Sequence, residues 1–448
     1  MRIAVAVAAC GALALSRAPV ATAQIQAPAG PPPASAQQPP APPQVAGRIL
    51  TLEEAVNISL AFQPQIQARL GDYAAARYRV DQALAPLLPQ LTATWTAARA
   101  RTVGTTSGAA SGSIGPSFGT STVARISLSQ LLFDFGKSLA GADAQRKLSE
   151  VAMEDVELQR QLLALAVKEA YTNILFAQRL TRVNEQALQR AELNLRSARG
   201  FFDVGTRPRS DVARAEVDVA NARVDVIRAR NAERLARVAL NTAMGIDVDT
   251  PTQVQDNLVR EPFEVDRLAV RAEALAQRPE HRQARLRADA AAAAERQAFR
   301  NFFPDITAGG FYGASRTEFD EIWELNLALT WNIFDGGGRI ARWREARASL
   351  DAAQARVRAS ELDIVREVEQ ALLSVTEASE RIDAAQTAVA SAQENFRLAQ
   401  GRFDAGVGTI LELTDAQLAL TVAQNTEAQA LADYRIALYR LDRARGRR

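Results

Sequence analysis

The sequence predicts a mainly α-helical protein that also carries membrane β-strands, built as two copies of one strand–helix unit. Three observations lead there. No Gly or Pro interrupts the chain between Gly141 and Gly200, or between Gly338 and Gly401. Short motifs recur in the same order at near-constant offsets. A few segments of strand length alternate apolar and polar residues and carry Trp near their ends.

Composition narrows the function classes. A length of 448 residues would ordinarily mean two or three globular domains. The chain is 48% hydrophobic but only 6% aromatic, and the excess is largely Ala, which suits long helices in close contact. Charge is balanced, 53 Lys and Arg against 51 Asp and Glu, so no basic footprint for nucleic acid is present. One Cys excludes a disulfide framework, one His (His281) excludes a His-cluster metal site, and three Met argue against a thioether copper site. No nucleophile–base set or phosphate loop is apparent. The sequence therefore predicts no catalytic residue, no metal and no cofactor. His281, two residues after Pro279 at a helix start, reads as structural.

Residues 1–23 read as a signal peptide. Arg2 supplies the charged start, Ile3 to Leu15 the apolar stretch, and Ala21-Thr22-Ala23 the cleavage site. The stretch is shorter than the roughly 20 residues of a spanning helix. Val7-Ala8-Ala9-Cys10 resembles a lipobox, but cleavage there would cut inside the apolar run. Removing Arg2 and Arg17 leaves 51 basic and 51 acidic residues and, with Cys10 gone, no Cys. Residues 24–48 hold eight prolines and read as an extended, disordered leader. No other segment reaches transmembrane-helix length, so entry into a membrane would have to be by β-strands.

The duplication is direct. Leu87-Leu88-Pro89-Gln90-Leu91 matches Phe302-Phe303-Pro304-Asp305-Ile306, and Pro64 matches Pro279, both 215 residues on. Phe133-Asp134-Phe135-Gly136 matches Phe334-Asp335-Gly336-Gly337, and Phe202-Asp203-Val204-Gly205 matches Phe403-Asp404-Ala405-Gly406, both 201 on. The first copy thus has a connection 14 residues longer between its strands, within the Gly/Ser/Thr-rich stretch from Thr102 to Ser121. The first repeat is 49–246, the second 267–448, and 247–266 is an equatorial connector.

Each repeat carries a helical hairpin, 137–245 with its turn near 205 and 338–446 with its turn near 406. Steps of four and three from Leu163 reach Val167, Ala170, Ile174 and Ala177 and continue to Phe202. The partner series from Ile364 to Phe403 is apolar throughout. This 3.5-residue period is a coiled-coil seam. Returning seams run from Val212 to Ala243 and from Leu413 to Ala444, so a short turn joins antiparallel helices. A helix over 137–203 would be roughly 100 Å long, whereas 209–245 and 64–88 reach about 55 and 37 Å. Stacking the two shorter helices end to end beside the long one makes a rod.

Strands are expected at about 90–101, 122–134, 305–315 and 322–334. In the last, Trp323, Leu325, Leu327, Leu329, Trp331 and Ile333 form one apolar face. Leu91, Ala93, Trp95 and Ala97 alternate with Thr92, Thr94 and Thr96. Apolar-out, polar-in alternation over about 9–11 residues with aromatic ends is the pattern of a membrane strand. Trp95, Trp323 and Trp331 are the candidate aromatic girdle. A sheet lying on a soluble core is the alternative, but no spare amphipathic element is available to cover it. Four strands cannot close a barrel, for which about eight is the minimum, and an open edge in lipid is forbidden. The chain must oligomerise, with two, three or four copies.

These motifs resemble the outer membrane efflux protein (TolC-like) family over about residues 49–446. The resemblance rests on the duplicated unit, the Leu132–Lys137 and Ile333–Gly337 corners, and the two hairpin turns, all in order. It implies a homotrimer with a 12-stranded β-barrel in the outer membrane of a Gram-negative bacterium, continued into the periplasm by a coiled-coil α-helical barrel. It also implies a passive exit duct that docks to a periplasmic adaptor and, through it, to an inner-membrane RND or ABC pump, for efflux or type I secretion. Family members carry acidic residues after the second turn that ring the closed end, and the matching positions here are Glu412 and Asp415. Thr409-Ile410-Leu411-Glu412 also fits a capping box, and an acid in a first turn suits the helix dipole; the two roles are compatible. Asp211 and Phe403 match positions that latch neighbouring hairpins in relatives, where the aromatic is often Tyr. Gly408 stands where some relatives place an Arg, whereas Arg207 is retained, so a gate latched differently or less tightly is implied. Val204, Gly205 and Thr206, with Ala405, Gly406 and Val407, match the tips that adaptors contact. A tight turn requires a glycine in any case.

Two other functions compete with a channel. A periplasmic adaptor usually carries one hairpin within a β-domain, whereas this chain has two hairpins and two strand pairs. A structural coiled-coil protein would need neither Trp-flanked strands nor a signal.

Overall fold

The computed structural model describes residues 47–105, 114–261, 263, 266–315 and 320–448. The signal, nearly all of the Pro-rich leader and residues 106–113 lie outside the described residues.

The first repeat begins with β1 (Ile49–Leu50), α1 (Leu52–Phe62) and α2 (Pro64–Leu84). The hairpin β2 (Gln90–Thr105) and β3 (Ile114–Phe133) follows, then the long α3 (Lys137–Asp203) and the returning α4 (Arg209–Met244). After β4 (Gln253–Val254), the second repeat runs α5 (Arg267–Gln277), α6 (Pro279–Arg300), β5 (Asp305–Ser315), β6 (Asp320–Thr330), α7 (Gly338–Asp404) and α8 (Ile410–Ala444).

The strands form one antiparallel sheet in the order β2-β3-β5-β6. Its length differs from the sequence expectation at both ends. Residues Thr102 to Thr105 are not loop: they continue the ladder, with Thr105 opposite Ile114, so the longer connection of the first repeat lengthens the hairpin. At the other end the ladder stops at Thr330, opposite Asp305, and not at 334. The residue before Asp305 is Pro304, which has no N–H to extend the ladder. Trp331 therefore lies past the strand, and its indole N–H donates to the carbonyl of Phe302 at 3.1 Å. Glycines in β5 answer a steric need: a Cβ on Gly313 would come within 2.8 Å of the Arg125 Cα on β3.

The two long helices leave the sheet through matched corners. Gly136 and the Gly336–Gly337 pair have positive φ. Asp134 accepts hydrogen bonds from the N–H groups of Gly136 (2.9 Å) and Ser138 (2.6 Å), and Asp335 accepts one from Arg339 N–H at 2.9 Å. These carboxylates satisfy amides that the first turn leaves without partners and sit favourably against the helix dipole. Lys137 then ties the first corner to the start of β5, its ammonium donating to the Asp305 carboxylate at 2.6 Å.

The helices pack around α3, which meets α2, α4, α6 and α8, and α7 packs against α6 and α8. The short helices meet end to end. Gly245 ends α4 with φ +74 against the backbone of Gln63, and Gly446 follows α8 with φ +86 against Gln277 and Arg278. A Cβ at either glycine would lie about 3.0–3.1 Å from that backbone, so close approach and left-handed φ both require glycine. Ser59 and Gln63 close the first joint by donating to the carbonyl of Ala243.

The main apolar core sits at these joints, where Val167, Ile174, Leu240, Met244, Ile364, Val368 and Leu441 are buried together. Tyr171 pins the equatorial β1–β4 pair by donating to the carbonyls of Leu50 and Gln255, both at 2.9 Å. Burial pushes its phenol up to about 12, so it remains a donor. His281 is buried in α6, its Nε2 3.9 Å from Glu361, and burial lowers its pKa.

The second joint is ionic. Arg278, only 2% exposed, bridges Glu280 (2.7 Å) and Glu367 (2.6 Å), and Arg443 of α8 also reaches Glu280 at 2.9 Å. Burial works to raise the Glu280 carboxyl, but the hydrogen bond and charge of Arg278, helped by Arg443, outweigh it and hold the group below its ordinary 4.5. A lowered folded pKa means the stabilisation is complete above the unfolded value and fades as pH falls through the folded one. Glu280→Gln should therefore destabilise the fold by about 2 kcal/mol at pH 7, because it leaves Arg278 short of a partner. Thermal denaturation at pH 7 and pH 3 checks this; the gap between variant and wild type should shrink in acid, and an equal gap would contradict it.

Candidate functional site

Two regions carry the candidate residues: the hairpin tips and the sheet. At each tip the long helix ends in a Schellman-type turn. Gly205 (φ +75) donates to Phe202 O and Thr206 N–H to Phe201 O; Gly406 (φ +77) donates to Phe403 O and Val407 N–H to Arg402 O. These bonds leave Val204 and Val407 exposed at the apices.

Between the tips stands Arg207. Its guanidinium donates to the carbonyl of Gly408 at 2.6 Å, lies 3.6 Å from the Asp211 carboxylate, and sits 4.6 Å from the centroid of the Phe403 ring. Thus Arg207, Asp211, Phe403 and Gly408, drawn from both repeats, meet at one point. Phe403 is 0% exposed, packed with Ile410 and Leu413, and Phe201 meets it edge-on with centroids 5.6 Å apart. The missing side chain of Gly408 is part of the arrangement: a Cβ there would lie 3.0 Å from Arg402 and the Phe403 nitrogen.

The first repeat departs from the seam expected of it. Phe202, the counterpart of Phe403, is 41% exposed, and Phe201 turns inward instead. The Phe-Phe doublet was the available signal, but periodicity alone favours the wrong member.

Glu412 and Asp415 lie on the first two turns of α8, both exposed. Thr409 caps the helix by accepting from Glu412 N–H at 3.2 Å. The reciprocal half of the capping box, present at Thr51 and Glu54, is not formed here among the described residues. The Glu412 carboxylate turns to Arg402, 3.6 Å away. Below the tips, Thr414 donates to Asp218 (3.0 Å) and Asn194 to Gln417 (2.7 Å), cross-linking the two hairpins with polar bonds that the seam pattern does not reveal.

On the sheet, one face is apolar and uncovered. Leu91, Leu128 and Leu325 share a row, as do Ile126, Tyr312 and Trp323, and Leu325 is 83% exposed. Trp95 and Trp323 stand on this face; Trp331, past the ladder, is anchored to Phe302 O. The opposite face is polar. Arg125 reaches Thr94 at 3.3 Å, and Asn326 donates to Glu324 at 3.0 Å. Among the described residues no helix is long and apolar enough to cross a membrane, and no cluster of three or more His, Cys, Asp or Glu could hold a metal.

The sequence profile described as outer membrane efflux protein matches residues 55–246 and 270–447. The chain belongs to the outer membrane efflux protein family. Its fold is similar to that of a membrane protein from Pseudomonas aeruginosa, with a TM-score of 0.78, 25% identity, and coverage of 88% of this chain and 90% of that one. The CmeC outer membrane channel of Campylobacter jejuni gives a TM-score of 0.77 at 18% identity, covering 88% and 85%. Nodulation protein T of Rhizobium leguminosarum bv. trifolii is 24% identical over 297 residues, 64% of this chain, and the match spans 63% of that relative's length. The chain is accordingly an outer-membrane protein of this family that extends into the periplasm.

Arg207 is the residue on which the tip geometry turns. Arg207→Ala should speed amide hydrogen exchange about tenfold over 200–212 and 401–413, the scale of losing one charge-assisted bond and a ring contact. Arg207→Lys should fall between the two, since it restores charge beside Asp211 without the planar donor. Exchange confined to one tip would contradict the cross-link.

Proposed function

We propose that three copies of the chain close head to tail into a channel, the passive exit duct of a tripartite efflux or type I secretion assembly gated at the hairpin tips. The observation that carries this reading is the pair of unpartnered sheet edges together with exposed apolar residues on α4 and α7. At one flank β2 has no further strand, and α4 exposes Val217, Val224, Ile227, Leu235 and Val238. At the other, β6 has no further strand, and α7 exposes Leu362, Leu373 and Leu398. Two unlike edges suit a heterologous contact that closes into a ring. With four strands per chain, three copies make twelve, the number the family resemblance implies.

The tips form the gate in this reading. Glu412 and Asp415 from three copies place six carboxylates around the periplasmic opening. Such a ring favours cations and holds multivalent ones most strongly. Arg207, Asp211 and Phe403 hold the two tips of each chain together, and opening moves the hairpins outward. Val204, Gly205, Thr206 and Ala405, Gly406, Val407 present exposed apices to a periplasmic adaptor, which couples the duct to an inner-membrane RND or ABC pump. A passive lumen needs no cargo-specific chemistry.

Planar-bilayer recording tests the gate. Wild type should show low resting conductance and block by trivalent cations from the periplasmic side. Glu412→Gln with Asp415→Asn should weaken that block about tenfold or more, since it removes the carboxylates that concentrate the ion. Unchanged block removes the ring from the mechanism, and a protein that never inserts removes the duct itself.

A further inference from the structure

Phe133, on the apolar row with Ile306 and Leu329, begins a run of aromatic rings that leaves the sheet and descends onto the helices. Phe135 meets Phe133 edge-on at 4.8 Å and stacks on Phe303 at 5.2 Å; Phe299 lies 6.1 Å from Phe303 and 6.3 Å from Trp343 of α7. The run borders a shallow cavity of about 570 Å³ between α6 and α7, and Arg296 and Arg300 stand at its edge. Arg347, one turn further along α7, places its guanidinium 5.8 Å from the Trp343 ring centroid. It is exposed and has no hydrogen bond or ion pair among the described residues.

We propose that this corner binds a phospholipid of the periplasmic leaflet, its phosphate held by Arg347 and Arg296 and its glycerol and upper acyl carbons lying on Phe299, Phe303 and Trp343. The proposal rests on the outer-membrane reading of the sheet. Depth supports it. Trp343 is five residues into α7, about 8 Å from the helix start, and the headgroup layer reaches about 5–8 Å beyond the hydrocarbon. Continuity supports it too, because the aromatic floor is an extension of the lipid-facing row. Charge is complementary. The one carboxylate lining the cavity, Glu295, is engaged by the Trp343 indole N–H at 2.6 Å. Arg296 pairs with Asp143 at 2.8 Å, but its side chain remains half exposed. Arg300 donates to Gly136 O at 2.7 Å, which fixes the cavity wall. Planar guanidinium groups suit a phosphate diester, and aromatic rings suit the boundary between headgroup and chain.

The test uses the full chain, delipidated in detergent, and native mass spectrometry with added dioleoylphosphatidylglycerol. Wild type should retain this lipid, should not retain dioleoylglycerol at the same concentration, and should keep the lipid in millimolar inorganic phosphate. Arg296→Ala with Arg347→Ala should weaken retention about tenfold, the scale of losing a charge-assisted contact. Trp343→Leu should weaken it independently, and Arg358→Ala, further along α7, should leave it unchanged. Equal retention by the arginine double variant, or equal retention of dioleoylglycerol, overturns the site. Displacement by inorganic phosphate would show a free-anion site and overturn the lipid assignment. Flotation with phosphatidylglycerol-containing liposomes is run in parallel; failure of the wild type to float would sink the membrane reading itself, separately from the site.

Discussion

A backbone amide in hydrocarbon has no water to bond with, so every strand edge in a membrane must be closed by another strand. That constraint organises this chain. Its four-stranded sheet has two edges, β2 and β6, at opposite ends of the strand order. The duplication follows the same logic: one repeat supplies a hairpin of strands and a hairpin of helices, and joining two repeats through β3 and β5 halves the number of edges left open.

The helices solve a different problem, length. Among the described elements, a helix of 67 residues is matched in length only by its own duplicate, and the helices packed against it are shorter. Two shorter helices must therefore be butted together, and the butt joint is the weak point, because helix ends leave amides and carbonyls without partners. The two repeats close it differently. The first uses Gln63 and Ser59 on the carbonyl of Ala243; the second uses Arg278 among Glu280, Glu367 and Arg443. The glycines at both joints are common because the backbone crossing is common. The ionic solution adds pH sensitivity that the neutral one lacks.

Much of this was legible in the sequence, for reasons that can be named. A 3.5-residue period sustained over forty residues has few competing readings, and a Gly that recurs at offset 201 marks a turn twice. The helix corners were legible because Asp134 and Asp335 sit two residues before glycines with positive φ. What escaped were features decided by backbone or by neighbours far away in sequence. The strand end at Thr330 is set by Pro304, just before the neighbouring strand begins. The choice of Phe201 over Phe202 is set by Phe403 across the tip. The partner of Arg207 is a carbonyl, which any residue carries, so nothing in the identity of Gly408 announces it. The aromatic run from Phe133 to Trp343 is likewise scattered over three segments and becomes one surface only after folding.

The bond from Arg207 to Gly408 also bears on how many parts can move. Each chain has two hairpins, and without a cross-link a ring of three would have six levers at its periplasmic end. In the proposed ring, tips fastened within each chain would make the chain, and not the hairpin, the unit of motion. A gate with three levers would pass through fewer partly open states than one with six, so fastening within the chain would favour a steeper, more concerted passage between closed and open.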